Sequence, residues 1–354
     1  MKPSLEKTRE VALTFQVELI CDEANWSAAL SAIGEHDFTH TFNFHHISMT
    51  CGEGEPWAFV ARDDAAQLVA MWPVLRREID GTNLFDFTSV YGYAGPILSA
   101  KAGGSQAVTA ILGAMRASGA VSLFSRMHPL FSSRLDEGIR GVELGEVVVI
   151  DVGTNEDVLA GYRGSHRREI VNARAKGVVI SVESGEAAIA EFHNIYCQAM
   201  NDLRAKDYYF FGRGYLNSLE TSSDFRTLIL FAELDGRKIA ASMFIVTGSL
   251  MQYYLSGTVS EFRRLAPSKM IIAEAHRLAI GMGLSRIILG GGVGSGHDPL
   301  LAFKKGFSSL TLPFYVPRRV LNDESYVALC AARRIIPSGT QFFPAYRAES
   351  PKVS

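Results

Sequence analysis

The stretch LILFAELDGRKIAASMFIV, residues 228–246, decides the fold. Leu228–Glu233 reads as an apolar strand and Ile239–Val246 as its antiparallel partner. Between them Leu234-Asp235-Gly236 is a hairpin signal, because Asp-Gly supplies the positive φ that a tight turn requires. Working outward, Leu250–Ser256 is a third strand. Pro267 then opens a helix that runs to Ala279, Gly281 and Gly283 stop it, and Arg286–Leu289 is the next strand. Proline suits a first helical turn, where its missing N–H has no intrahelical partner, and glycine suits the end because it accepts left-handed backbone.

The first half carries the same order. Trp57–Ala61 and Leu68–Val74 are strands around the turn Arg62-Asp63-Asp64, and Phe85–Tyr91 is a third. Gly103-Gly104 precede a helix over Gln106–Ala117, Gly119 ends it, and Val121–Phe124 is another strand. Two copies of hairpin–strand–helix–strand predict a duplicated unit of the α/β (α+β) class, each sheet mixed but mainly antiparallel and flanked by helices. The expected domains are 11–152 and 157–317, joined by the polar linker Asp151–Glu156. A basic helix, Tyr162–Lys176, and a second helix, Glu186–Leu203, follow the linker. The tail 318–345, with a helix over Ser325–Ile335, is expected to pack back on the first unit.

With 354 residues and 47% hydrophobic content, the chain has apolar material for two cores. A net charge of −2 makes no global claim on DNA or on a membrane, so any anion site must come from local clusters of Lys and Arg. Cys21, Cys51, Cys197 and Cys330 lie far apart and form no CxxC pair, which argues against a zinc site and a disulfide framework. The charged start Met1–Glu10 lacks the apolar core of a signal peptide. No apolar run approaches the roughly 20 residues that span a bilayer. A cytoplasmic location is expected, with any membrane-linked substrate met at the surface.

Two segments carry candidate chemistry. The loop Thr258–Lys269 follows a strand and opens a helix, and helix N-termini attract phosphate or carboxylate. Arg263, Arg264 and Lys269 add full charges there and Ser268 a hydroxyl; the alternative is a capped, solvated helix start. The second segment is Leu289–Phe307, a glycine-rich run without the Gly-Lys-Ser/Thr ending of a Walker motif and without GxGxxG spacing. Within it Asp298 is a helix cap candidate, and His297 is either a base or a structural loop histidine. Phe303-Lys304-Lys305-Gly306-Phe307 places cations beside aromatics: a lysine there suits an oxyanion or a phosphate, or else the phenylalanines are core and the lysines a solvated face. The basic helix carries Arg163, His166, Arg167, Arg168, Arg174 and Lys176. Positions 163, 167, 170 and 174 share one face, giving either a phosphate track or a solubilising surface.

Five stretches in order resemble the Fem-type transferases of the GNAT superfamily: Ser89–Pro96, Ser165–Gly177, Phe192–Met200, Gly257–Leu289 and Gly290–Phe307. The likeness runs from about Trp26 to Pro317. It implies two tandem GNAT-like domains and transfer of an aminoacyl or acyl group from an activated donor, with aminoacyl-tRNA favoured, to an amine, forming an amide. The alternatives are an N-acyltransferase using acyl-CoA or a carrier protein, and a non-catalytic ligand-binding member. The donor is a co-substrate; no metal and no permanently bound cofactor is implied.

By the same resemblance Lys304 stabilises the charged intermediate beside Phe303, and Tyr254 orients the acceptor. Tyr91, Tyr93 and Gly95-Pro96 fall on the wall from the first domain. The charge pattern of the two segments, read without the resemblance, makes Arg263, Arg264, Ser268, Lys269 and Lys305 the candidates for holding the donor's anionic part. The chain departs from the pattern in three places. Ile97-Leu98-Ser99-Ala100 stands where wall-building members carry an acid. The long helical arm of some members is missing. Ala266-Pro267-Ser268 replaces the Gly-x-Gly or Gly-x-Ala of acetyl-CoA users, and proline lacks one backbone donor.

Overall fold

Each of the two hairpins read in the sequence grows into a seven-stranded sheet. The structure, a computed structural model, describes residues 14–348 apart from Ala102, Glu156, Val293, Ser295 and His297. In the first half β1 (Gln16–Ile20) leads into α1 (Glu23–Ile33) and α2 (Phe42–Thr50). The hairpin β2 (Glu55–Arg62) and β3 (Leu68–Glu78) follows, then β4 (Phe85–Thr88), the short β5 (Ile97–Leu98), α3 (Gly104–Ala117), β6 (Ser122–Phe124) and α4 (Glu137–Arg140). The order is β1-β2-β3-β4-β6, with β5 paired to β3. β3 is buried over Leu68–Leu75, because α3 packs on one face of its sheet and α1 on the other; a strand covered on both faces loses its polar alternation. Pro73 sits in the gap between the partners of β3, past the pairs that Ala70 and Met71 make with β5 and before the pair that Leu75 makes with β4. On that side its missing N–H interrupts no ladder.

The second half begins with β7 (Val142–Asp151), then α5 (Gly164–Ala175), β8 (Val179–Glu183), α6 (Glu186–Asp202) and α7 (Arg213–Glu220). The deciding hairpin is β9 (Arg226–Leu234) and β10 (Arg237–Thr247), turned by Asp235 and Gly236 at φ 52° and 76°, the left-handed pair such a turn needs. β11 (Leu250–Thr258), α8 (Pro267–Gly281), β12 (Arg286–Gly290), α9 (Pro299–Lys304) and β13 (Thr311–Val316) complete it. The sheet order is β13-β7-β12-β11-β10-β9-β8, and β11–β12 is its parallel pair. One core joins α5 and α8 to the sheet, and another joins α6 and α7 to the opposite face. Two mixed, mainly antiparallel sheets flanked by helices are the α/β (α+β) class that the repeat predicts.

Although Val142–Asp151 lies within the expected range 11–152, both of its partners, β12 and β13, belong to the second sheet. The run Val147–Ile150 is buried throughout, and only a strand with neighbours on both sides offers it that cover. The chain then returns: β14 (Arg318–Val320) pairs with β6, and α10 (Asp323–Ala332) follows. The tail buries Tyr346 completely. Its hydroxyl donates to the buried Asp86 at 2.8 Å, which also accepts from Arg77 at 2.9 Å and Arg347 at 2.6 Å. No helix among the described residues is long and apolar enough to cross a membrane.

Candidate active site

β11 and β12 pair only over Leu250–Gln252 and Arg286–Ile288. β11 runs on to Thr258 while β12 ends at Gly290, so the strands part and leave a wedge. A bulge marks its start. Leu255 faces Met243 and Tyr253 faces Phe244, leaving Tyr254 as the extra residue. A bulge breaks the alternation of side chains and re-aims one of them. Tyr253 accordingly packs on the α8 side, whereas Tyr254 and Leu255 both join the α6 side. At Gly257 a Cβ would lie 2.9 Å from the Ile195 carbonyl oxygen, so glycine lets α6 cross close to the wedge.

The predicted anion loop forms the outer lip. A 3-10 turn, Ser260–Leu265, ends at Ala266 in the left-handed conformation, and α8 starts at Pro267 without a side-chain cap. Arg263 and Arg264 are exposed, with Arg263 3.7 Å from Asp202. Ser268 and Lys269 are engaged within the protein: Ser268 Oγ meets Thr258 Oγ1 at 2.7 Å, and Lys269 bonds Glu169 of α5. Lys269 Nζ lies 6.0 Å from the centre of the Phe303 ring, which joins the two predicted segments. On α5, Arg163, Arg167 and Arg168 are exposed, while His166 and Ile170 are buried. His166 Nε2 lies 2.9 Å from the Phe303 carbonyl oxygen and its ring abuts Phe307. Lys305 turns away to Glu146 of β7 at 2.7 Å.

Lys304 goes the other way, inward. Asp298 accepts from the Leu301 N–H at 2.8 Å and, with Pro299, sets the start of α9. Lys304 then falls at its last turn, 8% exposed, with Nζ donating to the Gly291 carbonyl at 2.7 Å. Burial pushes its pKa down to about 8 against the pull of Asp298, since desolvation penalises the charged form. Such a lysine serves either as a hydrogen-bond donor to a developing oxyanion or, once deprotonated, as a proton acceptor. His297 lies outside the described residues.

Tyr91 and Tyr254 meet across the two halves at 5.9 Å between ring centres. Tyr91 also packs on Tyr208 and Phe211, and the Tyr254 hydroxyl contacts that of Tyr215. Burial raises the pKa of both Tyr215 and Tyr254, so these phenols stay protonated and one of the pair donates to the other. Two residues that the sequence did not single out border the cluster. Glu53, its carboxyl raised by burial, and Arg126 both act electrostatically on Tyr208. Neither sits in a motif, so only proximity reveals them, and the Tyr254 bulge likewise has no sequence signal.

A groove of about 650 Å³ on the first half is lined by residues such as Arg62, Gln67 and Lys101 and by none of the candidate residues. Among the described residues no group of three or more His, Cys, Asp or Glu is placed to hold a metal ion.

Comparison with known proteins bears on the fold that carries these residues. The family described as an acetyltransferase (GNAT) domain matches residues 160–304, from the approach to α5 up to Lys304 itself. The structure of FemX superimposes with a TM-score of 0.65 at 12% identity, covering 88% of this chain and 99% of that one. The C-terminal domain of a putative lysylphosphatidylglycerol synthetase from Agrobacterium fabrum gives 0.55 at 15% identity, over 90% and 99%. L-PGS from Bacillus licheniformis gives 0.55 at 13% identity, over 89% and 97%. At these identities the likeness is one of fold. None of the curated proteins matches the chain.

Proposed function

We propose that this chain, whose residues 160–304 match the family described as an acetyltransferase (GNAT) domain and whose fold is like that of FemX, is an acyltransferase that moves an aminoacyl group from aminoacyl-tRNA to an amine. Lys304 is the observation that carries the proposal. It is a buried ammonium resting on a neutral backbone carbonyl, inside the matched domain. Opening the strands beside it to an ester carbonyl gives that cation something to stabilise.

In this reading the donor's phosphates lie along Arg263, Arg264 and the uncapped start of α8, where backbone N–H groups and the helix dipole favour anions. Tyr91 and Tyr254 hold the acceptor beside the wedge, with Phe303 walling the donor side. The amine nitrogen attacks the ester carbonyl, and Lys304 donates to the oxyanion that forms. The C–O bond then breaks, the C–N bond of the amide remains, and the amine's proton ends on the departing ribose hydroxyl. An aminoacyl ester is already activated, so alignment and charge stabilisation suffice. Charged tRNA is favoured because the cations extend past one pyrophosphate. Arg167 and Arg168 on α5, and Arg163 at its N-cap, are exposed, and α5 itself packs against the 260–265 turn. Donors of this kind go with a cytoplasmic location.

A second reading, acyl-CoA as donor, draws on the parting of β11 and β12 beside the α8 N-terminus. Against it, Pro267 removes one backbone donor from the cradle. The test offers the protein radiolabelled charged bulk tRNA and labelled acetyl-CoA beside amino sugars, ethanolamine and lysyl peptides. RNase-sensitive transfer supports the tRNA reading, and RNase-resistant transfer from acetyl-CoA replaces it with the second. Retention of either donor without amide formation points to a ligand-binding protein and ends both.

A further inference from the structure

Tyr91 and Tyr93 are two residues apart, yet their hydroxyls go to different places. Gly92 between them takes φ 112°, and a Cβ there would lie 2.8 Å from Thr39 Cγ2. The Thr39 hydroxyl donates to the Tyr93 carbonyl at 2.7 Å. With its backbone anchored in the first half, the Tyr93 ring packs edge-on against Phe314 of β13 at 5.3 Å and against His128 at 6.3 Å. Its buried hydroxyl reaches the glycine loop beside Gly290. The carbonyl of the next residue, Gly291, accepts from Lys304 Nζ at 2.7 Å.

The Gly290-Gly291 loop is therefore flanked by a phenol from the first half and by the lysine of the second. The surroundings leave it no slack. A Cβ on Gly291 would lie 2.8 Å from the Glu146 carbonyl oxygen. One on Gly290, where φ is 83°, would lie 3.1 Å from Lys304 Nζ and 3.5 Å from Tyr93 Oη.

We infer that Tyr93 is a positioning residue: by closing over the Gly290-Gly291 loop the first half of the chain holds the Lys304 ammonium in place and out of water. The consequence for turnover rests on the proposed role of Lys304; the hold itself does not. An isolated second half would have a wetter, looser lysine. The charged and titratable groups near the lysine are Asp298 at the start of its own helix and, from other elements, Lys305 with Glu146 of β7, Lys269 with Glu169, and His166 of α5. None of these is altered by removing the Tyr93 hydroxyl.

The test follows the side-chain nitrogen of Lys304 by NMR against pH in the full chain, assigned by its loss in Lys304→Arg. In Tyr93→Phe, which keeps the ring contacts, water reaches the ammonium and the lysine midpoint rises by about half a unit or more. Tyr315→Phe, a phenol bonded to Arg140, leaves the midpoint unchanged. If Tyr93→Phe does not fold, Phe314→Leu, which loosens the same ring, takes its place with a smaller rise expected. Turnover of charged bulk tRNA falls about tenfold in kcat, with the donor KM unchanged. Identical lysine midpoints in wild type and Tyr93→Phe overturn the inference. Full turnover in Lys304→Met, with the midpoint still moved by Tyr93→Phe, overturns the proposed function and leaves this inference standing.

Discussion

Replacing Lys304 by methionine tests the site through stability before any substrate is known. The lysine is buried, its ammonium rests on one backbone carbonyl, and its pKa falls from 10.5 to about 8. Below pH 8 folded and unfolded chains both carry the charge, and the folded one carries it at a free-energy cost. Between about pH 8 and 10.5 the folded chain has released the proton while the unfolded chain still holds it. Unfolding then takes up a proton, so stability rises with pH through that window and levels off above it.

Two and a half pH units at about 1.36 kcal/mol each make the penalty about 3 kcal/mol. Methionine keeps the unbranched apolar stem and removes the charge, but it strips the Gly291 carbonyl of its donor, at about 1–3 kcal/mol regardless of pH. Near pH 7 the two effects largely cancel, so the slope is the informative quantity. Wild-type stability minus that of Lys304→Met should climb by about 3 kcal/mol from pH 7.5 to 10.5, other titrations cancelling in the difference. Guanidinium unfolding at half-unit steps of pH measures it. Parallel curves for the two proteins would mean an ordinary, solvated lysine and would remove the basis of its assigned chemistry. The same variant should lose about a hundredfold or more in turnover.

Reversing Arg263 and Arg264 together to Glu should leave unfolding unchanged, since both are exposed. It should flatten the plot of log affinity for bulk tRNA against log salt by about 1–2 units; an unaltered slope would take these residues out of the donor site. Asp86→Ala leaves Arg77 and Arg347 beside a lost carboxylate and should destabilise by about 3–5 kcal/mol in denaturant. Gly306→Ala drives a methyl into the His166 ring. It should cost about 1–3 kcal/mol and loosen α5, measured by melting and by faster amide exchange over 164–175.

Local chemistry made much of the fold legible. The Asp235-Gly236 turn, the Pro267 helix start and the paired apolar runs at 57–74 and 228–246 specify their elements from within a few residues, because hairpins and helix ends are short-range devices. Asp298 was readable as a cap for the same reason, and its bond to Leu301 sets the phase that puts Lys304 on the last turn. Less visible was β7: Val147–Ile150 reads as apolar, but nothing local says which sheet will cover it. Nor did charge predict accessibility. Lys269 and Lys305 stand in the basic segments as candidate anion ligands, and each meets a carboxylate brought from α5 or β7.

From sequence alone come the duplicated hairpin–strand–helix–strand order, the basic lip at 263–264 and the Phe303-Lys304 pair. Each is written in neighbouring residues. Only the tertiary structure decided which lysine is dry, which tyrosine reaches which half, and where β11 takes its extra residue. Those outcomes depend on groups some 200 residues apart, Tyr93 and Gly290 foremost. Burial and hydrogen bonding act through space, so a pattern read along the chain carries no trace of them.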